Sequence, residues 1–397
     1  MSYSSYRSYP SYRFQGGRRV NKALMTYLVW PVAKFLVAFI IVQVIVAAMN
    51  WVERRLLGLF QARLGPNRVG YKGLLQIIAD PIKFLLKEDI VPSSSEKVAY
   101  FLGPVLPLIP AFIVFCLIPY GPPPTFTVTR VNVGLLLILA LTSTAVYGII
   151  LGGWASNNKY SLMGGLRSAA QMVSYEVPFG LSIVGVLMIT GSLDLVTIVR
   201  YQEVNAWNFI PQIVACFIFL VSMNAENNRT PFDLPEAESE LVAGYHTEYS
   251  AMKFAFFMLG EYSMMIVNSC LIVTLFFGGW TLGMFGIGLT TDVLQGMGLL
   301  GGLIGAAIFI TKVMMFLLMY VWFRATFPRF RFDQLMDLGW KFMIPLALAN
   351  IFVTGIFILL GQERLMYWIG LGTIGLAAFY LFKPKRPVAK QKVAHAS

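Results

Sequence analysis

Apolar stretches long enough to cross a bilayer recur from one end of this sequence to the other, and that feature decides the solvent in which the chain folds. About 20 apolar residues wound as a helix span a hydrocarbon core roughly 30 Å thick. Such runs fall near 28–52, 98–118, 133–153, 177–198, 207–223, 251–277, 297–323, 342–361 and 365–382. Inside lipid the backbone polar groups must be satisfied within the segment, which selects helices. The expected fold is therefore all-α, a polytopic transmembrane bundle of about nine spans. The first run passes into Glu53-Arg54-Arg55 without a small-residue cleavage site, so it reads as a retained span. With 57% hydrophobic and 13% charged residues, the chain is not a set of soluble domains carrying one anchor.

Three segments are expected. Residues 1–22 form a Ser/Tyr/Arg/Gly tail with Tyr3, Tyr6, Tyr9 and Tyr12 at intervals of three, a composition that reads as disordered. Residues 23–382 form a single transmembrane domain, and 383–397 a basic tail. A net charge of +12 would suggest nucleic acid in a soluble protein. In a membrane protein it speaks first of orientation, because short loops rich in Lys and Arg stay on the cytoplasmic side. The connections after spans one, three, five and seven, with the C-terminal tail, hold most of these residues, whereas the opposite loops hold Arg130, Arg200 and Arg364. The N-terminus is accordingly placed outside and the C-terminus in the cytoplasm, although Arg7, Arg13, Arg18, Arg19 and Lys22 run against that assignment.

Cys116, Cys216 and Cys270 are isolated in apolar runs, and His246 and His395 have no partner at metal-ligand spacing. No metal, haem or iron–sulfur site is expected, and no glycine-rich nucleotide fingerprint is present.

The first inside loop, about 53–97, contains a patterned stretch. In 74–87 the polar residues Gln76, Asp80, Lys83 and Lys87 share one face, with Leu, Ile and Phe on the remainder, as in an amphipathic interfacial helix. Pro81 predicts a kink or break in its middle.

The acids are scarce and clustered. Six of the 19 lie between Glu226 and Glu248: Glu226, Asp233, Glu236, Glu238, Glu240 and Glu248. Crowded carboxylates raise one another's pKa and can exchange protons, although a solvated acidic face would show the same composition. Glu176 precedes Pro178 at the start of the fourth span, and Glu261 lies inside the sixth. Ionisable groups in hydrocarbon are costly and mark proton or ion paths or paired interior sites. Lys312, in the seventh span, is a possible partner, while Lys34 is placed to snorkel to the outer surface. In the segment Trp322 to Arg331, arginines alternate with aromatic residues. That mixture suits an amphipathic ligand with a planar head, a lipid headgroup or an acidic partner.

Several motifs, in order over about 27–345, together resemble one family. These are Glu53-Arg54-Arg55, Gln61 to Gly70, Gly73 to Asp80, Gly153 to Asn157 with Lys159-Tyr160-Ser161, Ser174-Tyr175-Glu176, Arg229 to Val242, and Arg331 to Leu335. The chain is similar to the H-type subunit of bacterial NADH:quinone oxidoreductase (respiratory complex I), the homologue of mitochondrial complex I subunit 1. The resemblance implies a cofactor-free membrane subunit at the junction with the peripheral arm, forming part of a quinone chamber. FMN and iron–sulfur clusters would lie in partner subunits, and antiporter-like and small membrane subunits would be further partners. It implies that Arg54, Arg55, Asp80, Phe232, Asp233, Arg324 and Arg331 lie near the quinone path. Glu176, Glu226, Glu236, Glu238, Glu240, Glu248 and Glu261 would be its acidic funnel, passing the effect of quinone reduction to proton-translocating partners. The implied location is the bacterial inner membrane. The tail 1–22 exceeds the usual family start, and Pro81 departs from the family pattern.

Two other classes share some of these features. The membrane subunit of an energy-converting hydrogenase would share the loops, and a secondary transporter would use Glu261 and Lys312 as a substrate or ion site. No internal inverted repeat favours the transporter.

Overall fold

A computed structural model describes residues 29–382 other than Thr125, Glu236 and Ala237. Both tails and Glu236 therefore lie outside the described residues, and for Glu238 only the backbone is described. All regular elements among the described residues are helical: α1 Trp30–Phe60, α2 Gln76–Leu86, α3 Lys97–Leu117, α4 Gly134–Ala155, α5 Lys159–Thr190, α6 Leu195–Val204, α7 Ile213–Glu226, α8 Ala251–Phe276, α9 Gly298–Thr326, α10 Phe332–Leu359 and α11 Glu363–Phe382. Short turns of helix at Glu238–Leu241 and Thr291–Gly296 lie between them. Helices α1, α3, α4, α5, α8, α9 and α10 are long and apolar enough to cross a membrane. Each expected span coincides with a helix, but α7 has only 14 residues. At 1.5 Å per residue it covers about 21 Å, short of the hydrocarbon thickness.

Three boundaries differ from the sequence reading, each for a local reason. Helix α1 continues beyond Val52 to Phe60, so Glu53-Arg54-Arg55 sits on its last turns rather than in a loop. The fourth span begins at Lys159, where the Asn158 side chain accepts from Tyr160 N–H at 3.0 Å, and stops at Gly191, whose φ of +65° suits glycine. Asp194 then caps a separate helix, α6, by accepting from Val196 N–H at 3.2 Å. Pro81 does not break the interfacial helix, because α2 runs through it from Gln76 to Leu86. Asp80 is held there by Gln76 one turn earlier and by Arg54 of α1.

Helix α8 is the axis of the bundle: 78% of its most apolar window is buried, against 22% for the corresponding window of α1. Its wall of Met265, Ile272 and Phe276 packs with Phe179 of α5, Phe219 of α7 and Phe309 of α9. Without a hydrophobic drive between helices in lipid, close approach depends on small residues. A Cβ on Gly103 of α3 would meet Gly152 Cα of α4 at 2.9 Å, and one on Gly164 of α5 would meet Gly244 Cα at 2.7 Å. The second contact seats the turn Gly244–His246 directly on α5.

Candidate functional site

Helices α1, α2 and α8 do not close on one another. Between them lies a cleft of about 970 Å³. Phe39 and Val44 of α1, Ile77 and Phe84 of α2, and Phe256 and Leu259 of α8 supply an apolar wall. Apart from Gln43, its polar side chains gather toward the C-terminal end of α1: Asn50, Glu53, Arg54, Gln76, Asp80, Tyr262 and Arg324. An apolar cavity with a few convergent polar groups is the usual form of a small-molecule site.

Two carboxylates organise that end. Asp80 is buried and accepts from Arg54 Nη1 at 2.9 Å and Gln76 Nε2 at 2.7 Å, with Lys83 Nζ at 3.6 Å. Glu53, 3% exposed, accepts from Arg324 Nη1, from Arg229 Nη1 at 3.2 Å and from Tyr262 Oη at 2.7 Å. Arg229 also lies over the Tyr262 ring, 4.3 Å from its centroid. Burial works against the Arg229 cation, but the charge of Glu53, with Tyr262 and Glu261, outweighs it and holds the guanidinium well above its ordinary pKa. The site therefore presents fixed donors and positive charge at the end of an apolar wall.

Of the expected quinone residues, the structure brings Arg54, Asp80 and Arg324 together in this cleft. Arg55 instead donates to the Lys72 carbonyl at 3.0 Å and lies over the Trp51 ring. Phe232 packs against Tyr175 and Phe330, and Asp233 accepts from Arg329 at 3.0 Å. Arg331 is exposed before α10, its backbone N–H donating to Gln334 at 3.2 Å.

The described acids have separate hydrogen-bond partners. Glu176 accepts from Ser143 and acts electrostatically on Glu226, which accepts from Asn268 at 3.3 Å. Asn268 also donates to Asn227, and Asn227 to Tyr320, so Glu226 opens onto a polar thread within the bundle. Glu261 accepts from Tyr245 Oη at 2.7 Å, with His246 Nε2 at 3.5 Å. Glu248 accepts from Asn158 at 2.6 Å. Glu240 is an exposed partner of Arg167 at 2.6 Å.

Lys312 is not the partner of Glu261. Its ammonium donates to the carbonyls of Phe277, Gly279 and Thr281 at 2.6, 3.1 and 2.6 Å, beside the Trp207 ring. Three acceptors saturate an ammonium, and they come from the residue that caps α8, Phe277, and from the loop that follows it. Lys34 donates to the Pro124 and Thr127 carbonyls at 2.7 and 3.1 Å. Among the described residues no group of three His, Cys, Asp or Glu could hold a metal ion.

Sequence alone does not single out Glu53, Gln76, Arg229 and Tyr262 as site residues. Glu53 adjoins Arg54 and Tyr262 adjoins Glu261, yet only the packing of α1 against α8 and the loop after α7 reveals that Glu53 meets Tyr262 and Arg229, while Gln76 meets Asp80 on its own helix.

The model of the NADH dehydrogenase family matches residues 33–355. The chain belongs to this family. Members named as the H-type subunit of NADH-quinone oxidoreductase are similar over most of their length. One from Geobacter sulfurreducens is 47% identical over 350 residues, 84% of this chain and 96% of the relative. One from Koribacter versatilis is 44% identical over 361 residues, 85% and 99% of the two chains. A third, from Bacillus mycoides, is 48% identical over 305 residues, 77% and 86%. In this member of the family the charges at the cleft end are arranged around two buried carboxylates, Glu53 and Asp80.

Proposed function

We propose that this chain is the H-type membrane subunit of an NADH-quinone oxidoreductase and that the cleft between α1, α2 and α8 is its part of the quinone chamber. The observation carrying this reading is the polarity of the cleft: an apolar wall that ends in the guanidinium groups of Arg54 and Arg324, which have N–H donors beyond those given to Asp80 and Glu53. A quinone has a planar head with two carbonyl acceptors and a long apolar tail, and each part meets its complement there. In this reading the exposed Arg331 belongs to the inside surface that a peripheral-arm subunit covers, with Arg55, Phe232 and Asp233 behind it.

Reduction of the quinone takes up two electrons and two protons. The electrons come from an iron–sulfur cluster in a partner subunit, supplied from NADH through FMN bound elsewhere in the complex, and this chain binds neither group. Negative charge forming on the quinone head is stabilised by the guanidinium groups at the cleft end. The same charge weakens the hold of those cations on neighbouring carboxylates. Glu176, Glu226, Glu236, Glu238, Glu240, Glu248 and Glu261 then change proton occupancy together, as coupled sites do. Moving one elementary charge across 100 mV requires about 2.3 kcal/mol, which several linked carboxylates with shifted affinities can transmit to antiporter-like partners. The subunit lies in the inner membrane with its C-terminus cytoplasmic, the orientation that the loop arginines and lysines favour.

The test uses the assembled enzyme in proteoliposomes. Asp80→Asn, which releases Arg54, is expected to raise the quinone KM about tenfold, the equivalent of one lost charge-assisted contact. Glu176→Gln and Glu226→Gln are expected to abolish proton pumping. Unchanged NADH:quinone turnover and pumping in both would overturn the carboxylate role, and an unchanged KM in Asp80→Asn the cleft assignment.

A further inference from the structure

We propose that His246 and Glu261 form a proton-sharing pair, steered by Tyr245, that connects the cleft end to the acidic loop. The inference rests on the reading that this chain's carboxylates carry protons, and assigns a residue that reading leaves without a role.

His246 is the only histidine among the described residues and is 4% exposed. It sits on the turn Gly244–His246, which Gly164 of α5 admits at contact distance and Ser161 of α5 pins by donating to the Tyr245 carbonyl at 3.2 Å. From that turn two side chains converge on one oxygen of α8: Tyr245 Oη is 2.7 Å and His246 Nε2 3.5 Å from Glu261 Oε1. The edges of Phe254 and Phe257 enclose the imidazole, and the Tyr245 ring stands 3.8 Å from it. A merely space-filling histidine in this aromatic pocket would not need a carboxylate from a membrane-crossing helix aimed at its ring. Imidazole is the one side chain whose ordinary titration lies between about pH 5 and 8.

Glu261 also acts electrostatically on Arg229, which is bonded to Glu53 at the cleft end. The remaining charged groups around the turn are engaged elsewhere: Arg167 of α5 with Glu240, Glu248 with Asn158, and Lys253 of α8 with Asp89 at 2.9 Å. The step is a single proton transfer. The O–H bond of protonated Glu261 breaks as an N–H bond forms at Nε2, giving carboxylate and imidazolium, and the Tyr245 hydroxyl stabilises the carboxylate. Negative charge arriving beside Arg229 weakens its hold on that carboxylate and returns the proton to Glu261. No electron moves, so no oxidant or reductant is needed.

The experiment measures protons pumped per NADH oxidised, from about pH 5 to 8, in proteoliposomes of the assembled complex. Variants are His246→Gln and Glu261→Gln. The wild type is expected to show a titration step in that window. His246→Gln is expected to keep NADH:quinone turnover, remove the step and lower pumping about tenfold or more, the low end of what a positioned acid–base group contributes. A wild-type ratio and profile in His246→Gln, with pumping lost in Glu261→Gln, would overturn the pair and leave the carboxylate reading standing. Unchanged pumping in both variants would remove both. If His246→Gln does not assemble, the unaltered complex decides: a flat pumping profile overturns the proposal and a step supports it.

Discussion

Arg324 donates to Oε1 of Glu53 although 271 residues separate them in the chain, and Arg229 donates to the same oxygen. One buried carboxylate thus ties the C-terminal ends of α1 and α9 to the loop after α7. It also sets the charged end of the cleft.

The first prediction concerns that tie. Glu53→Gln leaves two guanidinium groups facing each other, one of them buried, and breaking a buried ion pair from one side costs on the order of 3–5 kcal/mol. Thermal inactivation of the assembled complex is expected several degrees lower. Arg324→Gln is expected to shift it far less, because that side chain is 41% exposed and Glu53 keeps Arg229 and Tyr262 as partners. Equal shifts in the two variants would mean that Arg229 does not depend on Glu53.

The contrast between Glu53 and Asp80 shows what sequence can reveal about such a site. Asp80 is legible because its three polar neighbours, Gln76, Lys83 and Lys87, repeat at helical spacing on an otherwise apolar stretch, and α2 forms over nearly the expected residues. Glu53 enters only as the start of a motif, since a charged triplet after an apolar run reads as the end of a span. In the structure α1 continues through it and buries it. The spans themselves follow from apolar length, which is a local property. Which carboxylate meets which arginine depends on helix packing across hundreds of residues, and no local pattern records it. Lys312 misleads for a related reason: an intramembrane lysine suggests an acidic partner, but the carbonyls that hold it belong to the cap of α8 and the loop after it, a placement visible only in three dimensions.

Lys312 gives the second prediction. In Lys312→Met the carbonyls of Phe277, Gly279 and Thr281 lose their donor, and each buried acceptor left unsatisfied costs about 1–3 kcal/mol. The complex is expected to inactivate at lower temperature while the surviving enzyme pumps protons at the wild-type ratio. Loss of pumping with unchanged thermal stability would return Lys312 to the proton path.

Glu203 of α6 gives the third, and it tests pH. This carboxyl is 6% exposed and accepts from Thr291, whose hydroxyl in turn accepts from Trp280 Nε1 at 3.0 Å. The backbone of the loop between α8 and α9 is strapped to α6, with Gly286 N–H donating to the Glu203 carbonyl at 2.8 Å. Burial raises the Glu203 pKa and the nearby Asp292 charge adds to it, while the Thr291 hydrogen bonds and Arg200 oppose them without cancelling the effect. With the folded value above the unfolded one, the folded state binds the proton more tightly. Stability is therefore greatest below the unfolded pKa, falls as pH rises from there through the raised folded value, and is level above it. Glu203→Gln stays neutral and keeps the contact to Thr291, so it escapes that loss. Its thermal inactivation temperature is expected to match the wild type near pH 4 and to exceed it at neutral pH, where an ordinary glutamate (pKa about 4.3) is ionised in the unfolded chain. A difference that does not change with pH would mean that the carboxyl titrates as if it were exposed.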